Sequence, residues 1–311
     1  MFPAFLTTIL FSLSGVTAAR TTRHLPSLEA NFWRLLVATG LLAAYAHTLG
    51  AGLGGPALRW FLVSGLIGFG IGDIALYLAY PKLGSRLVIL IVHCVASPLA
   101  AAIEWLWLGV PMTGREMLAG FLILTGVALA LAPGRTAHPG APLRTAFAAG
   151  IGFALVAAAG QGIGAVLSRR AFEVARAASQ PIDGISAAYQ RILAGIALAA
   201  VTFLWARHRA ALQRARGPAP SPEQLAAERL RRRGAIPWVL VNALCGPALG
   251  VSCFQWALAQ RGTGVVLPIV ALTPLVIIPF SMHLEGERPS RRSLLGGVVA
   301  VAGAVLHAVS H

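Results

Sequence analysis

Apolar side chains come in long unbroken runs along this chain, each closed by a charge, a proline or a cluster of glycines. Reading runs against breaks predicts ten helices, at about residues 2–19, 29–49, 58–80, 83–109, 115–132, 145–168, 184–206, 236–258, 263–284 and 293–309. Each is close to the roughly 20 apolar residues that a helix needs to cross a bilayer core. The runs are continuous and not alternating, which excludes a transmembrane β-barrel. Breaks fall at Arg20–Arg23, Gly52–Pro56, Pro81-Lys82, Pro111–Gly114, Pro133–Pro142, Ser179–Asp183, Arg207–Gly234, Gln260–Gly262 and Glu285–Arg292. Most are short, so consecutive helices are expected to pack antiparallel. The first run lacks a basic segment before it, and no soluble domain follows, so it reads as a first span and not as a cleaved leader.

The pattern repeats. Trp60, Gly68, Gly72, Ala79, Gly84 and Ser85 recur 178 residues later as Trp238, Gly246, Gly250, Ala257, Gly262 and Thr263. Pro98 returns as Pro274, each after a hydroxyl residue, and Arg34-Leu-Leu matches Arg191-Ile-Leu at an offset of 157. The change of offset is about the length of the Arg-rich segment before Trp238. The expected fold is therefore all-α: a polytopic membrane protein of ten transmembrane helices, built as two five-helix repeats. Residues 1–133 form the first repeat, and residues 145–311 the second, with an Arg-rich loop at 207–235. Five is odd, so the second repeat crosses in the opposite sense, as in secondary transporters whose binding site lies between inverted halves.

Composition narrows the class. Of the 311 residues 57% are apolar and 11% charged, against about 25% charged in a soluble domain, and mean hydropathy is +0.75. A soluble enzyme and a disordered chain are excluded. The net charge of +15 comes almost wholly from arginine, scattered at the ends of apolar runs with one cluster, which is how spans are punctuated and not how nucleic acid is bound. Cys94, Cys245 and Cys253 all sit inside apolar runs and read as small packing residues. No metal-ligand spacing is present, and no cofactor is expected.

The tandem five-helix pattern, with its ending Pro274 through Leu284-Glu-Gly-Glu-Arg288 and then Leu295-Gly-Gly297 to Ala302-Gly303, resembles the EamA-like branch of the drug/metabolite transporter superfamily. The resemblance covers nearly the whole chain. The first copy departs from it, since Leu108-Gly109-Val110-Pro111 has lost the Glu-Arg pair. The resemblance implies a multi-pass carrier of small metabolites, without a catalytic signature.

Ionisable residues inside a span are functional candidates by default. Asp73, with Tyr77 and Tyr80 on the same helix face, is the clearest. His93, Ser97 and Glu104 share a face of the next helix, although Glu104 beside Trp105 and Trp107 also suits an interfacial position. Gln161, among Gly160, Gly162 and Gly164, suits a substrate contact or interhelical glue equally. Tyr77 and Gln255 occupy matched repeat positions. Arg34 and Arg191, also matched, suit a substrate carboxylate or phosphate, or else snorkel to headgroups from near their helix starts. Pro98, Pro268 and Pro274 are candidate kinks or hinges, and the Gly68/Gly72, Gly246/Gly250 and Gly160/Gly164 pairs read as close-packing seams. Gly70-Ile-Gly-Asp73 spells a fragment of intramembrane aspartyl proteases, but the second acid is missing, because Asp183 lies in a connection. No His-Glu-x-x-His or Gly-x-Ser-x-Gly accompanies it, so no enzyme is expected.

The expectation is thus a carrier in the cell (inner) membrane. It has a small-molecule substrate, a proton or ion as coupling partner, lipid headgroups at the Arg-rich loop and no nucleic acid, as monomer or homodimer. A lipid-handling or scaffold membrane protein is the alternative. Charge and resemblance disagree on orientation. Seventeen Lys and Arg residues fall on the side of the Arg-rich connection and six on the side of the termini, so the positive-inside rule places the termini outside, whereas the resemblance implies termini inside. A topology reporter fused after His311 decides this: the charge rule expects no cytoplasmic activity, and cytoplasmic activity overturns it.

Overall fold

The computed structural model describes residues 1–108, 113–131, 144–216, 218, 221–286 and 289–310. The Gly109–Pro111 segment, the Glu287-Arg288 pair and the 133–142 connection lie outside the described residues. Among the described residues every regular element is helical. The elements are α1 (Phe2–His24), α2 (Ser27–Thr48), α3 (Leu58–Gly65), a π-helical turn (Leu66–Gly72), α4 (Asp73–Leu108), α5 (Gly114–Leu131), α6 (Arg144–Ala177), α7 (Gly184–Ala215), α8 (Pro222–Ala243), a second π-helical turn (Leu244–Ala248), α9 (Leu249–Gln260), α10 (Thr263–Val270), α11 (Thr273–Glu285) and α12 (Arg291–Ser310).

Six helical stretches are long and apolar enough to cross a membrane, and a shorter apolar helix spans Met117–Ala130. The longest of the six, Leu58–Trp107, has 50 residues, about 75 Å of helix, far more than one bilayer crossing needs. It is divided at Gly84, whose φ of 77° and ψ of 169° leave the helical region. Positive φ carries no steric penalty without a Cβ, so the chain reverses at Gly84 and not at Pro81-Lys82. Pro81 and Pro98 both stay inside helical backbone, their missing donors interrupting nothing else. The matched Gly262 caps the start of α10 in extended conformation. The expected single helix 263–284 is instead two, since Ala271 and Leu272 form a turn before Thr273-Pro274 begins α11. Pro268 lies within α10.

The Arg-rich segment is the main correction. It was expected as a loop over 207–235, yet α7 continues to Ala215 and α8 begins at Pro222. A capping box starts α8, with Ser221 and Gln224 satisfying each other's backbone N–H groups. Glu228 then gathers Arg214 at 3.2 Å and Arg232 at 3.1 Å, and Arg232 also pairs with Glu29 of α2. Interleaved arginines and acids on two adjoining helices hold the polar extension together where periodicity of apolar residues fails to announce a helix. Arg23 of α1 pairs with Glu285 of α11, and Arg20 lies over Trp238.

The core is sealed by small residues. Between α5 and α12, a Cβ at Gly126 would stand 2.3 Å from the Ala300 amide nitrogen, and one at Gly296 2.5 Å from that of Ala130. Backbones in a membrane associate through such close packing. Gly126→Leu is therefore expected to lower the melting temperature of the purified protein, by an overpacking cost of about 1–3 kcal/mol or more. Gly40→Leu, whose Cβ meets nothing within 4 Å, should stay within about 0.5 kcal/mol of the parent. Equal stability of the two variants contradicts the seam.

Candidate functional site

Helices α1, α2, α4, α6, α7 and α9 and both π-helical turns surround one interior cavity of about 80 Å³, room for roughly five to eight waters. The π-helical turns begin at Leu66 and Leu244, 178 residues apart. A π turn widens the helix by one residue and spoils its regular hydrogen bonding, a distortion that recurs at functional sites. Residues of both turns face the cavity: Gly68 and Phe69 from one, and Gly246 and Pro247 from the other. Those are the same positions at the 178-residue offset. Asp73 and Val251, and Leu76 and Phe254, are further matched pairs on its wall.

Arg34 and Arg191 are each the eighth residue of their helices, and neither snorkels. They are 4% and 5% exposed and both border the cavity. The reason lies across the interface. A Cβ on Gly246 would come within 3.4 Å of Arg34 Nη1, and one on Gly68 within 2.9 Å of Arg191 Nη2. Each half's glycine thus leaves the notch that admits the other half's guanidinium.

The two arginines are held differently. Arg34 forms an ion pair with Asp73, donates Nε to Asn31 Oδ1 at 3.2 Å and lies 4.7 Å from the centre of the Tyr77 ring. Arg191 donates Nε to Ser64 Oγ at 2.9 Å and lies 5.3 Å from the Phe69 ring centre. Ser64 is fixed in turn by the Gly164 carbonyl at 2.7 Å and by Ser168 at 2.9 Å. Among the described residues Arg191 has no ion pair. Its neighbourhood differs from that of Arg34 because Val251 stands where a second Asp73 would be.

A further polar pair borders the cavity. Gln161 Nε2 is 3.0 Å from His93 Nδ1, and the His93 ring stacks on Phe11 with centroids 5.5 Å apart.

Of the residues singled out in the sequence, Asp73, His93, Gln161 and Arg191 come together on this cavity, joined by Arg34 and Tyr80. Tyr77 stands one layer behind, its hydroxyl donating to Asn242 Oδ1 at 2.8 Å. Ser97 and Glu104 lie apart, on a small space shared with Thr263, and Thr263 donates to Glu104. Eleven residues close to three turns put His93 and Glu104 on one face, but that same spacing separates them by about 16 Å along the axis. Gln255 is fully buried, and both its amide atoms lack a hydrogen-bond partner among the described residues. It does not line the cavity. The sequence reading missed Ser14 and Asn242. Ser14 carries no charge and sits in a run of ordinary spacing. Asn242 binds the Ser14 carbonyl at 2.6 Å, and its one signal was that it is the 178-residue counterpart of Ser64, the partner of Arg191.

No curated protein matches the chain. Among solved structures, one titled only as the crystal structure of a protein aligns with a TM-score of 0.62 at 17% identity, over 99% of this chain and 96% of that one, a likeness of fold. The model of the EamA-like transporter family matches residues 1–132 and again 148–309. An all-helical architecture with several membrane-length apolar helices is what such a transporter requires, and the chain belongs to the EamA-like transporter family of the drug/metabolite transporter superfamily, as an integral multi-pass membrane protein.

Proposed function

We propose that this protein is a secondary transporter that moves a small metabolite, amino-acid-like, sugar-like or drug-like, across the cell membrane by alternating access between two inverted five-helix repeats. The single observation that carries this reading is the wall of the cavity. Matched positions from the two halves face each other there, and each half's arginine sits in the other half's glycine notch. A site on the pseudo-symmetry axis is reached from either side by rocking one half against the other. The lipid-handling or scaffold alternative calls for no polar interior, and the convergence of Asp73, His93 and Gln161 supports the carrier.

A second feature supports the mechanism. In α4, beyond the Gly84 reversal, Ser85 donates to Glu285 at the end of α11. At the start of α10, Thr263 donates to Glu104 near the end of α4. The first residue of each antiparallel segment is thus tied to the far end of the other. Ser85 and Glu104 are about 28 Å apart along the helix, close to the thickness of a hydrocarbon core, and Ile89, Val92 and His93 between them face the cavity. In this reading the two ties close the cavity toward opposite sides, and each cycle opens one and then the other.

Cysteine pairs test it, in a background with Cys94, Cys245 and Cys253 replaced. Ser85→Cys with Glu285→Cys, and separately Glu104→Cys with Thr263→Cys, are expected to abolish counterflow of a labelled metabolite panel in proteoliposomes when crosslinked. Reductant should restore it. Transport that survives both crosslinks rejects alternating access, and absence of flux for every metabolite in the uncrosslinked protein rejects the carrier.

A further inference from the structure

The charge on the cavity wall is countable from its lining residues. Resting on the carrier reading above, we propose that the solute is a small organic monocarboxylate, whose carboxylate is received by Arg191.

The ionised groups on the cavity wall are Arg34, Asp73 and Arg191, with His93 and Tyr80 counted as neutral groups at pH 7. Two guanidiniums against one carboxylate leave one positive charge in excess. Asp73 makes its ion-pair contact with Arg34 and attracts Arg191 only from beyond contact distance, so the excess falls on Arg191. Its Nε is occupied by Ser64, Nη2 is seated in the notch between Gly68 and Gly164, and the guanidinium forms part of the cavity wall. A guanidinium buried to this degree without an ionic partner is costly to hold. An entering carboxylate removes that cost, and Arg offers it a planar fork of parallel donors. Val251, in place of a second aspartate, leaves this arginine available to the solute.

The remaining wall sets the body of the molecule. Leu76, Ile89, Val92 and Phe254 are apolar, while Gln161 and His93 supply a polar edge. Charge balance then separates the solute classes. A monoanion neutralises the cavity, a zwitterion or neutral solute leaves it at one positive charge, an amine raises it to two, and a dianionic phosphate overshoots to one negative charge.

The test is thermal stabilisation of the purified full chain by isobutyrate and benzoate, set against isobutyramide, benzamide, isobutylamine, valine and inorganic phosphate, at a pH above the second ionisation of phosphate so that it is present as the dianion. The carboxylates are expected to raise the melting temperature by several degrees at concentrations where the isosteric amides and the amine do not. Arg191→Gln should weaken the carboxylate response by about tenfold or more, the loss of a charge-assisted contact, while Arg191→Lys keeps part of it. Asp73→Asn provides the arm that survives any misfolding of the Arg191 variants. It raises the excess to two charges, so phosphate, inert toward the parent, should now stabilise. Stabilisation by valine or isobutylamine in preference to the carboxylates overturns the inference and leaves the carrier standing, as does a lack of response to every probe when counterflow of other metabolites is present. Stabilisation by carboxylate without flux of any solute rejects the carrier and leaves the anion site.

Discussion

Two guanidiniums inside an apolar bundle are the constraint around which this molecule is arranged. A charge removed from water costs several kcal/mol unless it is paired and hydrogen-bonded, and the chain buries two of them on one cavity. Everything near them follows from that cost. Glycines stand where a Cβ would strike each guanidinium. Aromatic faces from Tyr77 and Phe69 lie beside them. Hydroxyl and amide groups of Asn31 and Ser64 satisfy the Nε atoms, and the helix backbone widens into a π turn at the two places where the notches occur.

The arrangement is close to symmetric in placement and asymmetric in chemistry. Both arginines occupy the eighth position of their helices, and both π turns start at matched leucines. Among the described residues only Arg34 of the two is in ion-pair contact with an acid. If both halves carried aspartate the interior would be neutral and closed by two internal ion pairs; if neither did, two unpaired charges would share a cavity of about 80 Å³. Asp73 has Val251 as its counterpart at the 178-residue offset, so the two halves match in placement and differ in charge.

Stability and motion are assigned to different contacts. The α5–α12 seam, where backbones approach through Gly126 and Gly296, is a packing contact with no polar content to exchange. In the proposed mechanism the Ser85–Glu285 and Thr263–Glu104 contacts are the polar ties that exchange, with Arg23 sharing Glu285 with Ser85. Bistable motion needs that difference, because dense packing does not deform continuously.

Much of this was legible in the residues themselves. Continuous apolar runs set the helical class and the membrane environment, since a backbone in lipid must satisfy its own hydrogen bonds. The 178-residue echo singled out Gly68, Gly246 and the Tyr77–Gln255 pair, and intramembrane charge singled out Asp73, His93 and Arg191. The spacing of residues along one helix says which face a side chain shares, and nothing about which neighbour faces it. For that reason Ser97, Glu104 and Gln255 were grouped with the cavity although they lie elsewhere, Arg34 and Arg191 suited headgroups as well as a substrate although notches on other helices receive them, and the Arg-rich segment was taken for a loop although ion pairs between α7 and α8 hold it helical. Pattern within a helix is a local property, determined by period and by the solvent. Which arginine takes the ion pair was decided only in three dimensions, because it depends on a carboxylate 39 residues along the chain that contacts Arg34 and not Arg191.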